Sequence, residues 1–272
     1  MNRLAKFIES CSSNELKTLG QAAGIAALTA GSMIRQLYEK PHTIKMKGDI
    51  DLVTEADISA ETAIIASLNE DAPGITIMAE ESYDGRVDTK HGKVWVIDPL
   101  DGTTNFAHGI PIFAVSIALM ENERPIVGVI YCPMQDELFC TSLGGGAWLN
   151  GRLIEVTETD LLLQSLVATG FPYNIHDRLE TVIRQMQKVL PKVRDIRRCG
   201  AAAVDLAYLA CGRLDAFWEL DLKPWDTAAG CLLVEEAGGR VSDFFGQPFS
   251  PFKKEIVASN GRLHPLLLEL LS

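Results

Sequence analysis

The chain has 272 residues, 47% of them hydrophobic and 22% charged, with a formal net charge of −11. That length admits one large domain or two lobes with cores of their own, and the composition excludes a disordered chain. The negative charge argues against broad binding to nucleic acid or anionic membranes.

No run approaches the roughly 18 uninterrupted apolar residues of a membrane span. The start, Met1-Asn2-Arg3-Leu4-Ala5-Lys6-Phe7, is too short and polar for a signal peptide, so a cytoplasmic location is expected. The six cysteines, Cys11, Cys132, Cys140, Cys199, Cys211 and Cys231, are scattered with no C-x-x-C pair. Reduced thiols are expected, with Cys132 facing Cys140 across a hairpin as the alternative.

In chain order, the pattern predicts a long helix over 15–39, capped by Ser12-Ser13-Asn14 and stopped by Pro41. Lys45-Met46-Lys47-Gly48-Asp49 reads as a mobile connector. Thr54-Glu55-Ala56-Asp57 resembles a capping box that opens a helix reaching about residue 68. A strand over 75–79 ends in Glu80-Glu81, and a polar loop over 84–92 leads to a strand over 94–97. Runs over 113–120, 125–132 and 137–142 read as an antiparallel meander with turns at Asn122-Glu123 and Met134-Gln135.

Gly144-Gly145-Gly146 and Asn150-Gly151 are turn signals near a lobe boundary, which divides the chain into 1–148 and 149–272. The second half reads as a strand over 166–169, helices over 178–190 and 201–210, a strand over 216–220, a helix over 227–237, a strand over 256–258 and a closing helix. The expectation is an α+β first lobe and an α/β second lobe, with a site in the cleft between them.

The chemistry concentrates in Asp98-Pro99-Leu100-Asp101-Gly102-Thr103-Thr104-Asn105. An apolar strand ends there in two carboxylates three residues apart, then a glycine, two hydroxyls and an amide. Hard oxygen ligands and exposed backbone donors suit Mg2+ and a phosphate. Pro99 keeps Asp98 extended and removes a donor, so the Leu100 carbonyl can face the same cavity as both acids. Gly102 permits close approach to a ligand, Gly102 to Asn105 opens a short helix, and Thr103 is placed to hold an attacking water.

Other acids also end apolar runs: Glu80-Glu81, Glu219 and Asp226, with Asp57 near a helix start. If several converge, like charges 4 Å apart cost about 4 kcal/mol at an effective dielectric of 20, which divalent cations or raised pKa values would relieve. Each acid also has a plain structural reading. Asp57 closes the capping box, one of Glu80 and Glu81 is a solvated strand end, Asp226 caps the following helix, and Glu219 is an exposed strand residue. His108 and His176 are isolated. Gly144-Gly145-Gly146 lacks the lysine of a P-loop and reads as a tight turn.

The Asp98–Asn105 motif, with Trp225-Asp226-Thr227-Ala228-Ala229-Gly230 and Glu235-Glu236-Ala237-Gly238-Gly239, resembles the inositol monophosphatase family. Asp51-Leu52-Val53-Thr54-Glu55-Ala56-Asp57 and Ala79-Glu80-Glu81-Ser82 match its two upstream motifs in order, so the resemblance runs from about residue 15 to the C-terminus. It implies a layered αβαβα sandwich of the α+β class, a homodimer, and Mg2+-dependent hydrolysis of a small phosphorylated polyol or sugar, foremost inositol 1-phosphate.

By motif position, Glu80, Asp98 and the Leu100 carbonyl would hold one metal ion. Asp98, Asp101 and Asp226 would hold a second, and Glu80 would help with a weaker third. Asp57 and Thr103 would position the water. The Gly102 and Thr103 amides would cradle phosphate, while Glu219, Asp226, Gly200-Ala201-Ala202 and the Asp101 carboxylate would bind the substrate and its hydroxyls. Lithium inhibition is typical of the family. In one departure, Met46 stands where the family often has a lysine, flanked by Lys45 and Lys47. Arg197-Arg198-Cys199-Gly200-Ala201-Ala202-Ala203 most resembles bacterial members, its arginines serving a dimer interface or a substrate.

Rival readings are weaker. Haloacid-dehalogenase-type phosphatases space their two aspartates by two, not three. Fructose-1,6-bisphosphatase, nucleotide 3′-phosphatase and histidinol-phosphate phosphatase share the metal site, but Asn105 after Thr104 favours the inositol type. A regulatory protein-binding role on the same fold is the rival from another class.

Overall fold

The computed structural model describes residues 3–38, 40, 44–46 and 52–271. Of the expected connector, Lys45 and Met46 fall in a strand, Ile44–Met46, paired antiparallel with Leu52–Thr54; Lys47, Gly48, Asp49 and the motif residue Asp51 lie outside the described residues.

Seven strands form one sheet in simple chain order: Thr76–Ala79, Lys93–Asp101, Ala114–Glu121, Arg124–Cys132, Glu137–Ser142, Ala147–Leu149 and Arg152–Ile154. The first pair is parallel and the rest antiparallel. The expected meander is there, and its sheet continues past residue 148 to Ile154 through a hairpin turned at Asn150-Gly151, both at positive φ. The expectation of an α/β second lobe meets a five-stranded mixed sheet in the order Asp195–Arg197, Leu166–Thr169, Ala216–Leu220, Glu255–Ser259, Arg240–Ser242. The first two pairings are parallel and the last two antiparallel.

Helices fill the remaining layers. Asn14–Leu37 and Glu55–Asp71 cover the outer face of the seven-stranded sheet, joined there by Trp95 and Ile97 in one apolar cluster. Val94 and Val96, alternating to the other face, pack with Ala202–Ala210 and Pro224–Glu236, which in turn meet Phe217, Ile256 and Ala258 of the second sheet. Ile175–Val189 and His264–Leu271 close the far side. The result is the layered αβαβα sandwich. A helix between two sheets must be apolar all round, and Trp225, Ala228, Leu232 and Val234 of Pro224–Glu236 are all buried.

All six cysteines are free. The hairpin register sets Cys132 opposite Glu137 and Cys140 opposite Val129, so the alternative of Cys132 facing Cys140 does not hold.

Candidate active site

In a regular strand, residues three apart point to opposite faces. Asp98 and Asp101 escape that rule through a β-bulge: Asp98 pairs with Ser116 and Asp101 with Ala114, so three steps on one strand oppose two on its neighbour. Pro99, which has no amide to donate, sits inside the irregularity. The bulge is closed locally by the Leu100 amide, which donates to Asp98 Oδ1 at 2.9 Å.

Gly102 follows at φ +96°, as N-cap of the short helix Thr103–Ala107. A Cβ there would stand 3.0 Å from the Ile112 carbonyl oxygen and 3.2 Å from both Ala201 and Phe113. Glycine is therefore required by backbone conformation and by space.

The Thr54 cap and Asp57 do two jobs at once. Thr54 N and Oγ1 both donate to Asp57 Oδ2, at 2.8 and 2.6 Å, completing the capping box. Asp57 Oδ1 accepts from Thr103 Oγ1 at 2.8 Å, and the Leu100 carbonyl stands 3.1 Å from the same hydroxyl. The structural and functional readings of Asp57 use different oxygens. Burial pushes its carboxyl up, opposed by the hydrogen bonds from Thr54 and Thr103.

Two adjoining cavities share Asp101, Gly102, Thr103, Glu219 and Asp226. The smaller, of about 210 Å³, is lined by Glu80, Asp98, Leu100, Lys223 and Trp225 among others; the larger, of about 370 Å³, adds Arg198, Gly200, Ala201, Ala202 and Asp205. Of the strand-end pair, Glu80 lines the smaller cavity, while the Glu81 amide donates to Glu61 Oε2 at 2.8 Å. His108 and His176 line neither.

The acids expected to converge do share one field. Asp98, 2% exposed, is pushed well above the usual carboxylate range, first by burial and then by the charges of Glu80, Asp101 and Asp226. Asp101 is pushed up to about 7 by burial, with Asp205 and Glu80 adding to it and the Ala203 amide, 2.7 Å from Oδ2, opposing. Asp226 opens its helix as a cap, accepting from the Lys223 amide at 2.7 Å, and also lines both cavities. Glu219 is buried, not an exposed strand residue. Its carboxylate lies so close to Gly170 that a Cβ there would stand 2.1 Å from Oε2. Burial and the charges of Asp205 and Asp226 raise it well above its usual range.

Among the described residues, no three His, Cys, Asp or Glu side chains form a ready metal cage by themselves. The donor set here is of another kind: carboxylates around a backbone carbonyl in one small cavity, mutually repelling. That fits a hard cation such as Mg2+, which prefers oxygen ligands and keeps several waters. One group of this site escaped the motifs: Asp205 is a lone acid in the apolar helix Ala202–Ala210, which was its available signal. Arg198, expected from its motif to serve a dimer interface or a substrate, lines the larger cavity and stacks on Phe171 with 5.5 Å from guanidinium carbon to ring centre.

The profile of the inositol monophosphatase family matches residues 15–272. An inositol-1-monophosphatase of Synechocystis sp. is 43% identical over 263 residues, 96% of this chain and 91% of that protein. The Nus factor SuhB of Escherichia coli (strain K12) is 45% identical over 246 residues, 89% of this chain and 91% of that protein. Among solved structures, the extragenic suppressor protein suhB of Bartonella henselae superposes with a TM-score of 0.87 at 39% identity, covering 96% of this chain and 99% of the other. An inositol monophosphatase from Anabaena (Nostoc) gives 0.86 at 38%, covering 95% and 96%. On this extent of match, the chain belongs to the inositol monophosphatase family, whose members are metal-dependent phosphatases acting on small phosphorylated substrates.

Proposed function

We propose that this protein hydrolyses a small phosphomonoester, foremost inositol 1-phosphate to inositol and phosphate, by in-line attack of water with no phosphoenzyme. The observation that carries the reading is the 2.8 Å hydrogen bond from Thr103 Oγ1 to Asp57 Oδ1 beside the acids around Asp98. The name of the Synechocystis relative supports the substrate.

Two to three Mg2+ ions would be held by Glu80, Asp98, the Leu100 carbonyl, Asp101 and Asp226. When bound, such ions supply Lewis-acid activation of water and neutralise charge on the phosphate and the leaving oxygen. The chain's own residues do the rest. Because Thr103 spends its hydroxyl proton on Asp57, its oxygen lone pairs are left to accept from the water and aim it. Asp57, already raised by burial, is suited to take the water's proton through Thr103 Oγ1. The Gly102 and Thr103 amides hold phosphate oxygens at the start of their helix. Glu219, the Asp101 carboxylate and the Gly200-Ala201-Ala202 segment hold the hydroxyls of the alcohol.

The reading extends to a cytoplasmic homodimer inhibited by lithium. Among the described residues, no helix is long and apolar enough to cross a membrane. The Nus factor relatives favour a second reading, a regulatory protein-binding role on the same fold. One variant separates the two. Asp98→Asn is expected to abolish Mg2+-dependent turnover of inositol 1-phosphate rather than raise KM. If the folded variant keeps near-wild-type turnover, the assignment is wrong; if it is inactive yet rescues a deletion strain, the binding role is the essential one.

A further inference from the structure

One buried acid beside the site has no part in the chemistry above. Glu61 lies one turn after Asp57 on the helix Glu55–Asp71, on the same face, and is 6% exposed. Besides these two acids, the buried residues of that helix are Ala56, Ala60, Ile64 and Leu68. A buried carboxylate is costly unless hydrogen bonds satisfy it, and an apolar packing face does not call for one. Glu61 spends Oε2 on the backbone amide of Glu81, which donates to it at 2.8 Å from 20 residues away.

That amide belongs to the peptide plane just after Glu80. The strand Thr76–Ala79 makes its last pairing at Ala79 with Ile97, and the Glu80 amide still reaches the Ile97 carbonyl at 3.1 Å. The next amide, that of Glu81, is taken by Glu61 instead. A residue has only two soft backbone torsions, and at Glu80 both flanking peptide planes are tied. One is tied to the strand that runs into Asp98, the other to the helix that carries Asp57. The anchorage matters because Glu80 shares its cavity with Asp98 and Asp101 and repels both. Released, an acid at a strand end moves away from like charges into solvent.

We propose that Glu61 is a positioning residue for Glu80: by accepting from the Glu81 amide, it holds Glu80 at the wall of the smaller cavity beside Asp98, set for a divalent cation. The inference rests on the metal-dependent phosphatase reading above. Two views compete with it. In one, Glu61 only stabilises the packing of helix on strand; in the other, its charge itself attracts the cation.

The test is Mg2+ binding by the full chain, read as the Mg2+ midpoint of the rise in melting temperature and, separately, as the Mg2+ midpoint of inositol 1-phosphate turnover. Glu61→Ala, which removes the acceptor, is expected to raise both midpoints about 10- to 100-fold, the usual effect of removing a group that holds a metal ligand in place. Its kcat at saturating Mg2+ is expected to recover, since every reacting group is still present. Glu61→Gln keeps an acceptor and loses the charge, so both midpoints are expected to stay within about threefold of wild type.

Unchanged midpoints in Glu61→Ala, whatever its melting temperature, make Glu61 a packing residue and overturn the proposal. Midpoints raised as far in Glu61→Gln as in Glu61→Ala assign the effect to charge and overturn it equally. Should Glu61→Ala not fold, Glu61→Asp takes its place: the charge stays and the side chain falls one methylene short of the Glu81 amide. The same rise is then expected, and wild-type midpoints refute the positioning role. If the wild-type protein shows no Mg2+ midpoint in either readout, the metal-dependent reading itself fails, and this inference with it.

Discussion

Crowded acids make the metal-free protein a pH-sensitive object, and Asp101 sets the scale. Its carboxyl is held up to about 7, against 3.8 for the ordinary group. The folded state therefore keeps a proton that the unfolded chain gives up, and this group's contribution to stability is greatest below pH 3.8 and falls as pH rises toward 7. Each pH unit in that window costs about 1.4 kcal/mol, so about 3 kcal/mol is lost between pH 5 and 7. With about 2.1 cal/mol/K per residue over this length, or about 0.6 kcal/mol/K, the melting temperature should fall by about 5 °C.

Mg2+ should cancel the effect, because a bound cation stabilises the ionised carboxylate. The assay is thermal melting of chelator-treated and Mg2+-saturated protein at each pH, scored as the difference between the two. That difference removes every titrating group remote from the site. It should grow from pH 5 to pH 7. Equal slopes with and without Mg2+ would refute both the shared field of these acids and their assignment to the metal.

Two further outcomes follow from the packing. Gly102→Ala adds a left-handed penalty of about 1–2 kcal/mol to overpacking of about 1–3 kcal/mol against Ile112, Ala201 and Phe113. Denaturant titration should show a loss of about 2–5 kcal/mol, and a loss under 1 kcal/mol would mean that the turn relaxes freely. His264, fully buried between Ser242 Oγ at 2.8 Å and Ser259 Oγ at 2.9 Å, has its pKa pushed down to about 4 by burial. Since the unfolded ring takes a proton near 6.5, this group's contribution to stability is full above that pH and declines toward pH 4, by at most about 3.4 kcal/mol. Melts of Mg2+-saturated His264→Gln over that range should be flatter than wild type, and an unchanged acid limb would place the titration elsewhere.

Much of this molecule is legible locally. The Thr54–Asp57 capping box, the strand over 166–169, the meander and the buried helix opened by Asp226 all follow from side-chain period, caps and turn residues, which act within a few residues. The motifs also suffice for the family. Less visible were short strands such as Asp195–Arg197 and Arg240–Ser242, which exist only because a neighbouring strand pairs with them.

Tertiary structure decided the geometry of the acids. A spacing of three puts Asp98 and Asp101 on opposite faces of a regular strand, and only pairing against Ser116 and Ala114 creates the bulge that turns both into one cavity. Whether Asp57 caps a helix or holds Thr103 is undecidable from its neighbours. It does both because a residue 46 positions away comes to its second oxygen. Glu219 could be taken for a surface acid until Gly170 packs against its carboxylate, and Asp205 reads as an oddity in an apolar helix until the second sheet closes the cavity wall. Sequence determines which groups are present and what their near neighbours do; burial and the mutual field of distant charges belong to the folded chain alone.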